Sequence, residues 1–204
     1  MKKQAPNKKR IVIGITGSFG SGKSTVAGMF YSSDAQLIDA DRLARSLLLP
    51  GNKVYQRLVR FFGRGILKKD RRIDRSGLAK VVFNNKRLLR QLNKLVHPEV
   101  IRIIKDAIAK SRRQFVILDA PLLVESGSAG MVDRLIVVKT GKKQQLRRLL
   151  KKTSLDTAEI LARIKAQMPL DKKARLADFV IDNSGTLTRT KRQVNAIRRQ
   201  LWKN

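Results

Sequence analysis

Eight residues near the start of the chain, Gly17-Ser18-Phe19-Gly20-Ser21-Gly22-Lys23-Ser24, have the types and spacing needed to hold phosphate. They match G-x-x-x-x-G-K-[ST] at every required position and directly follow the apolar run Ile11 to Thr16. Phosphate at close range needs several backbone N–H groups aimed at one place. Only glycine-rich backbone permits that approach, and a helix starting there adds its positive dipole end. Lys23 supplies a point charge for the β- and γ-phosphates, the Ser24 hydroxyl is placed to ligate magnesium, and Thr25 lies on the first helical turn. ATP with Mg2+ is the expected occupant. A glycine-rich strand-to-helix turn without nucleotide is the structural alternative, and the loop alone leaves ATPase, GTPase, kinase and helicase open.

Asp39-Ala40-Asp41 closes the next apolar run. Ligands of an open parallel sheet gather at the carboxyl ends of its strands, so this pair is expected to face the phosphate loop. A carboxylate there can take the proton of an attacking hydroxyl and orient it in line with the γ-phosphate. Alternatively, Asp41 caps a helix beginning at Arg42. Asp119, at the end of the third apolar run, could hold a magnesium-bound water. Other residues carry weaker signals. His97 stands before Pro98 and suits a helix break; Glu125 follows a strand end and could simply accept backbone donors; Asn183 before Ser-Gly suits a turn.

The elements that must position these groups are five short, nearly continuous apolar runs: Ile11 to Thr16, Gln36 to Asp39, Phe115 to Asp119, Leu135 to Val138, and Phe179 to Ile181. Continuous rather than alternating apolar content is the mark of strands covered on both faces, and helical segments separate them. The expected fold is α/β, a P-loop kinase fold with a five-stranded parallel sheet flanked by helices. The first helix is expected to carry Val26, Ala27 and Phe30 inward and to end near Ser32 and Ser33. Leu88, Leu89, Leu92, Leu95 and Val96 predict helix in a strandless stretch, broken near His97-Pro98. A second helical excursion runs from about Lys142 to Leu176, with Asp156 and Glu159 at capping-box spacing. Leu187, Val194, Ile197 and Leu201 align on a final helix. The division that follows is a single domain over 1–204. Its core spans about 10–45, 112–140 and 177–204, with a helical substrate-side insertion at about 46–111 and a helical lid at about 141–176.

The chain has 46 Lys and Arg against 15 Asp and Glu, a formal charge of +31. Such a field draws polyanions, so weak, nonspecific, salt-sensitive association with nucleic acid is expected. Aromatic residues are only 5%, too few for a track on which single-stranded bases would stack. Without cysteine there is no disulfide framework or thiolate metal site. No apolar run reaches the roughly 18 residues of a membrane span, and the basic opening segment lacks a signal-type apolar region, so a cytoplasmic monomer or weak oligomer is expected.

The string LIDADRLAR after GSFGSGKSTV resembles the first third of the dephospho-CoA kinase family. The likeness continues through Ile73-Asp74-Arg75 with Val82-Phe83, His97-Pro98, Pro121-Leu122-Leu123-x-Glu125, Gln145 to Arg148, Gln167-Met168-Pro169, and the run Ala177 to Gly185. It covers nearly the whole chain. The resemblance implies ATP and dephospho-CoA as substrates and Asp41 as base for a ribose 3′-hydroxyl. It further implies Arg75, His97, Leu122 and Glu125 on the acceptor side, Arg148 as a lid arginine on the transferred phosphate, and Asn183 near the adenine. It does not back Asp119. Lys152 and Thr153 stand where relatives commonly show arginine and aspartate. D-x-D after such a loop is also similar to shikimate kinases, whose third strand leads into a Gly-Gly-rich turn where this chain has Ala120-Pro121. A shikimate- or nucleotide-type kinase, or a nucleic-acid-binding P-loop ATPase, is the alternative.

Overall fold

Each of the five apolar runs forms a strand: β1 (Ile11–Gly17), β2 (Ala35–Asp39), β3 (Phe115–Asp119), β4 (Arg134–Lys139) and β5 (Phe179–Asp182). In the computed structural model, which describes residues 10–202, they make one parallel sheet in the order β2-β3-β1-β4-β5. The opening basic segment and the last two residues of the expected core lie outside the described residues. Asp119 pairs in register with Ile15 of β1 and with Asp39 of β2, so β2 and β3 end level while β1 runs on to Gly17. The connection after β1 leads to β2 at one edge, while that after β3 leads to β4 across β1. A crevice therefore opens between β1 and β3, the place where ligands bind in such sheets.

Nine helices accompany the strands among the described residues: α1 (Lys23–Phe30), α2 (Ala40–Leu47), α3 (Lys53–Phe62), α4 (Arg75–Phe83), α5 (Lys86–Lys110), α6 (Lys142–Lys152), α7 (Thr157–Lys165), α8 (Leu170–Ala174) and α9 (Leu187–Leu201). Alternation along β1 sends Val12 to one face and Ile13 to the other, giving two cores. Helices α2 to α5 cover the first, around Val12, Val116, Leu118, Leu58 and Val100; α1 and α9 cover the second, around Ile13, Ile15, Phe30, Ile117 and Val194. Both faces are dry, which is why the strands read as unbroken apolar runs.

Three expectations are corrected. Helix α1 stops at Phe30, ahead of Ser32 and Ser33, because Tyr31 already takes extended backbone. Helix α5 does not break at His97-Pro98 but runs through it for 25 residues. A proline inside a helix costs about 3 kcal/mol. The buried side chains of Val96, Val100 and Ile104 on either side of it each return about 1.5–3 kcal/mol, so packing overrides the local preference. On α9, Leu187 is exposed rather than packed, and Thr190 takes the inward position in the first turn. The capping box of Asp156 and Glu159 forms as the spacing predicts and starts α7. No helix among the described residues is long and apolar enough to cross a membrane.

Candidate active site

The phosphate loop leaves β1 at Gly17 and enters α1 at Lys23. Gly20 and Gly22 sit at φ of 78° and 84°, a left-handed region where only glycine rests without strain. Close approach also demands the glycines: a Cβ on Gly17 would lie 2.6 Å from the Val138 carbonyl oxygen, and one on Gly20 would meet Leu149 at 2.6 Å. Helix α1 begins with no side-chain cap and no acidic residue in its first turn, so its positive end is left for an anion. The loop is held from below by Asn183, whose side-chain amide donates to the Ser21 carbonyl at 2.8 Å while its oxygen accepts from Thr190. Asn183 is thus buried under the loop and does not stand on the cleft wall.

Lys23 Nζ lies 2.7 Å from Asp119 Oδ1 and 3.9 Å from Asp41 Oδ2, across the crevice between β1 and β3. Asp39 caps α2, accepting from the Arg42 N–H at 2.9 Å, so the alternative role for Asp41 is excluded and its carboxylate is free. Half of the Asp41 side chain is open to the cleft. Partial loss of water still pushes its carboxyl above the ordinary aspartate value; Lys23 opposes the shift, and Asp39 and Asp119 reinforce it.

Asp41, Arg75, His97, Leu122 and Glu125 all line one cleft of about 1020 Å³ together with the phosphate loop. Within Ile73-Asp74-Arg75 the labour divides: Ile73 is buried in the core, Asp74 caps α4 through the Ser76 N–H, and Arg75 reaches the cleft. Burial holds His97 below its usual range, which favours the neutral ring at pH 7. Glu125 Oε1 accepts the Met168 N–H at 3.1 Å and pairs with Lys173 at 2.7 Å, while its Oε2 is buried without a partner. Arg148 is partly buried on α6 with a guanidinium nitrogen, Nη1, buried and unpartnered beside Gly22. A buried donor in that condition is costly unless an anion arrives to accept it. Arg147 next to it is exposed, and Lys152, one turn on, lines the cleft.

Sequence reasoning missed two side chains. Lys173 has a fully buried side chain and also donates to the Pro121 carbonyl at 2.8 Å, which fixes the turn after β3. Its Lys-Lys-Ala-Arg surroundings read as solvated charge. Arg163 of α7 lies 5.8 Å from the Phe19 ring and 5.4 Å from the Phe83 ring, between the phosphate loop and α4. Its only sequence signal is its place four residues before Gln167.

A family model described as dephospho-CoA kinase matches residues 11–189. The chain belongs to the dephospho-CoA kinase family. A dephospho-CoA kinase from Carboxydothermus hydrogenoformans is 44% identical over 195 residues, covering 94% of each chain. A crystal structure from Thermus thermophilus superposes with a TM-score of 0.80 at 34% identity, covering 95% of this chain and 99% of that one. The dephospho-CoA kinase from Campylobacter jejuni follows at a TM-score of 0.66 and 27% identity, with 94% and 97% covered. The likeness to the dephospho-CoA kinase family thus extends from the start of β1 to the first turn of α9, and the five-stranded sheet is the fold these relatives share.

Proposed function

We propose that the chain transfers the terminal phosphoryl group of ATP to the ribose 3′-hydroxyl of dephospho-CoA, giving ADP and coenzyme A. The observation that carries this reading is the freed Asp41 carboxylate, relieved of capping by Asp39 and set 3.9 Å from Lys23 in the cleft that holds the phosphate loop. The loop amides and Lys23 take the charge of the transferring group. Asp41 accepts the hydroxyl proton as the acceptor oxygen bonds to the γ-phosphorus and the bond to the β,γ-bridging oxygen breaks. The unpartnered nitrogen of Arg148 supports a contact to the phosphates, and Arg75, His97, Leu122 and Glu125 form the acceptor wall. In this reading α3 to α5 are the acceptor-side insertion and α6 to α8 the lid, which excludes water as a competing acceptor.

Magnesium suits the oxygen donors present. No group of three or more His, Cys, Asp or Glu among the described residues could hold a metal alone. Mg2+ needs no such cage, since it keeps waters and takes one or two protein ligands plus substrate phosphates. Ser24 would ligate it here, and Asp119, once released by Lys23, would hold a bound water. When bound, the metal would supply neutralisation of the phosphate charge.

Initial rates of ATP consumption with dephospho-CoA, shikimate, adenosine and AMP in parallel, with and without duplex DNA, test the reading. Dephospho-CoA is expected to give the highest turnover, and DNA to bind weakly at low salt without stimulating hydrolysis. Faster turnover with shikimate or AMP, or DNA-stimulated hydrolysis, would replace it with one of the alternatives.

Lys152 lies four residues after Arg148 and shares its face of α6. An ammonium neutralises phosphate as a point charge, without the fixed fork of a guanidinium. Lys152→Arg is therefore expected to improve turnover or the Michaelis constant for ATP by a modest factor, on the order of 1 kcal/mol. If Lys152→Arg and Lys152→Ala both match the parent, the residue is one more solvated charge.

A further inference from the structure

Two glutamines from opposite ends of the 141–176 segment meet on one residue of the phosphate loop. Gln145, on the first turn of α6, donates through Nε2 to the Phe19 carbonyl and, at 3.1 Å, to Ser18 Oγ. Gln167, just past the end of α7, accepts the Phe19 N–H on Oε1 at 2.8 Å. Gln145 and Ser18 are buried, so these bonds are made away from competing water. The Phe19 carbonyl fixes which end of the Gln145 amide faces the loop, since only the NH2 end can donate to it. Arg163, one turn before Gln167, lies near the Phe19 ring and adds a third hold. Phe19 immediately precedes Gly20, the first of the two left-handed positions, so its peptide groups set the direction in which the following amides point.

We propose that Gln145 and Gln167 are positioning residues that hold Phe19 by its C=O and its N–H, keeping the loop amides convergent before nucleotide arrives and joining the loop to the lid at the start of α6 and just past α7. Neither side chain needs to touch a phosphate. The clamp uses the Phe19 peptide groups and leaves the glycine-rich turn and the start of α1 open to the ligand. Preorganisation of this kind acts on affinity by removing the ordering cost from the binding step. It acts on the ligand held by the loop, the polyphosphate, and not on the acceptor at the α4 and α5 wall.

This inference rests on the reading of the loop as the nucleotide site, and binding of ADP by the parent checks that reading separately. Gln145→Leu and Gln167→Met remove the donor and the acceptor at nearly constant size. Titration calorimetry is expected to show each variant binding ADP about fivefold to tenfold more weakly, with dephospho-CoA affinity within twofold of the parent. Because both glutamines act through one residue, the double variant is expected to lose less than the product of the two single losses. In the parent without nucleotide, amide hydrogen exchange is expected to find the Phe19 N–H protected; this readout needs no variant to fold. Unprotected Phe19 in the parent, ADP affinity unchanged in both folded variants, or an equal loss of affinity for ADP and acceptor would each overturn the clamp. A parent that binds no ADP would overturn the nucleotide reading itself.

Discussion

Replacing Asp41 by asparagine is expected to leave ATP binding in place while cutting turnover about 100-fold or more, the scale on which a positioned base contributes. The substitution keeps the size of the side chain and removes only its ability to take a proton. Helix α2 keeps its cap, because Asp39 and not Asp41 accepts the Arg42 N–H. Burial raises the Asp41 carboxyl above its ordinary value. A raised folded-state value favours the protonated form: the stabilisation it gives is complete below the unfolded value and is lost as pH rises through the folded one. At neutral pH the ionised Asp41 is therefore a cost to folding, and Asp41→Asn is expected to be at least as stable as the parent. Turnover runs the other way, since the base must be ionised. The acid limb of kcat/KM, which reports the free enzyme, is expected above the range of an exposed aspartate and to be absent from the residual activity of the variant. Equal turnover in steady-state assays would show that the carboxylate takes no proton.

Gly22→Ala is expected to abolish useful nucleotide binding by moving the loop rather than by unfolding the sheet. The position sits at φ of 84°, which costs an L residue roughly 1–2 kcal/mol. The added Cβ would also overlap the side-chain nitrogen of Asn183, and overpacking of this kind costs about 1–3 kcal/mol. Asn183 can yield only by giving up its bond to the Ser21 carbonyl, which is the loop's support. Thermal unfolding with and without ADP separates the two consequences. The apo midpoint is expected to fall by several degrees and the ADP-induced rise to vanish. An undiminished ADP-induced rise would mean that the loop binds without the geometry described.

The sheet was legible because its central strands β1, β3 and β4 are buried on both faces, and even the edge strands, which expose Leu37 and Val180, keep a run of apolar residues. The phosphate loop was legible because its glycines answer to local backbone demands. What escaped were features decided by distant partners. Nothing beside Lys173 in sequence marks it as buried, since its partners Glu125 and Pro121 come from the turn after β3. Pro98 reads locally as a break, and only the packing of Val96, Val100 and Ile104 shows why α5 continues. Asp39 and Asp41 both suit a cap, and the choice rests on where β2 ends against β3. Asp178, within the final matched run, takes a structural duty invisible in the string: it accepts the Leu135 N–H at 2.7 Å and locks β4 beside β5.

The position of Lys23 between Asp119 and Asp41 bears on how the enzyme sorts the anions it attracts. A formal charge of +31 draws polyanions of every kind toward the surface. At the cleft floor the loop lysine is already engaged, because its one ammonium is shared by two carboxylates. A bare polyphosphate reaching that floor must compete with Asp119 for the lysine and then face two carboxylates, one of them buried. One that arrives carrying its own divalent cation compensates them as it displaces the pair. The outer field is indiscriminate, whereas the inner trio would favour the triphosphate in its metal-bound form.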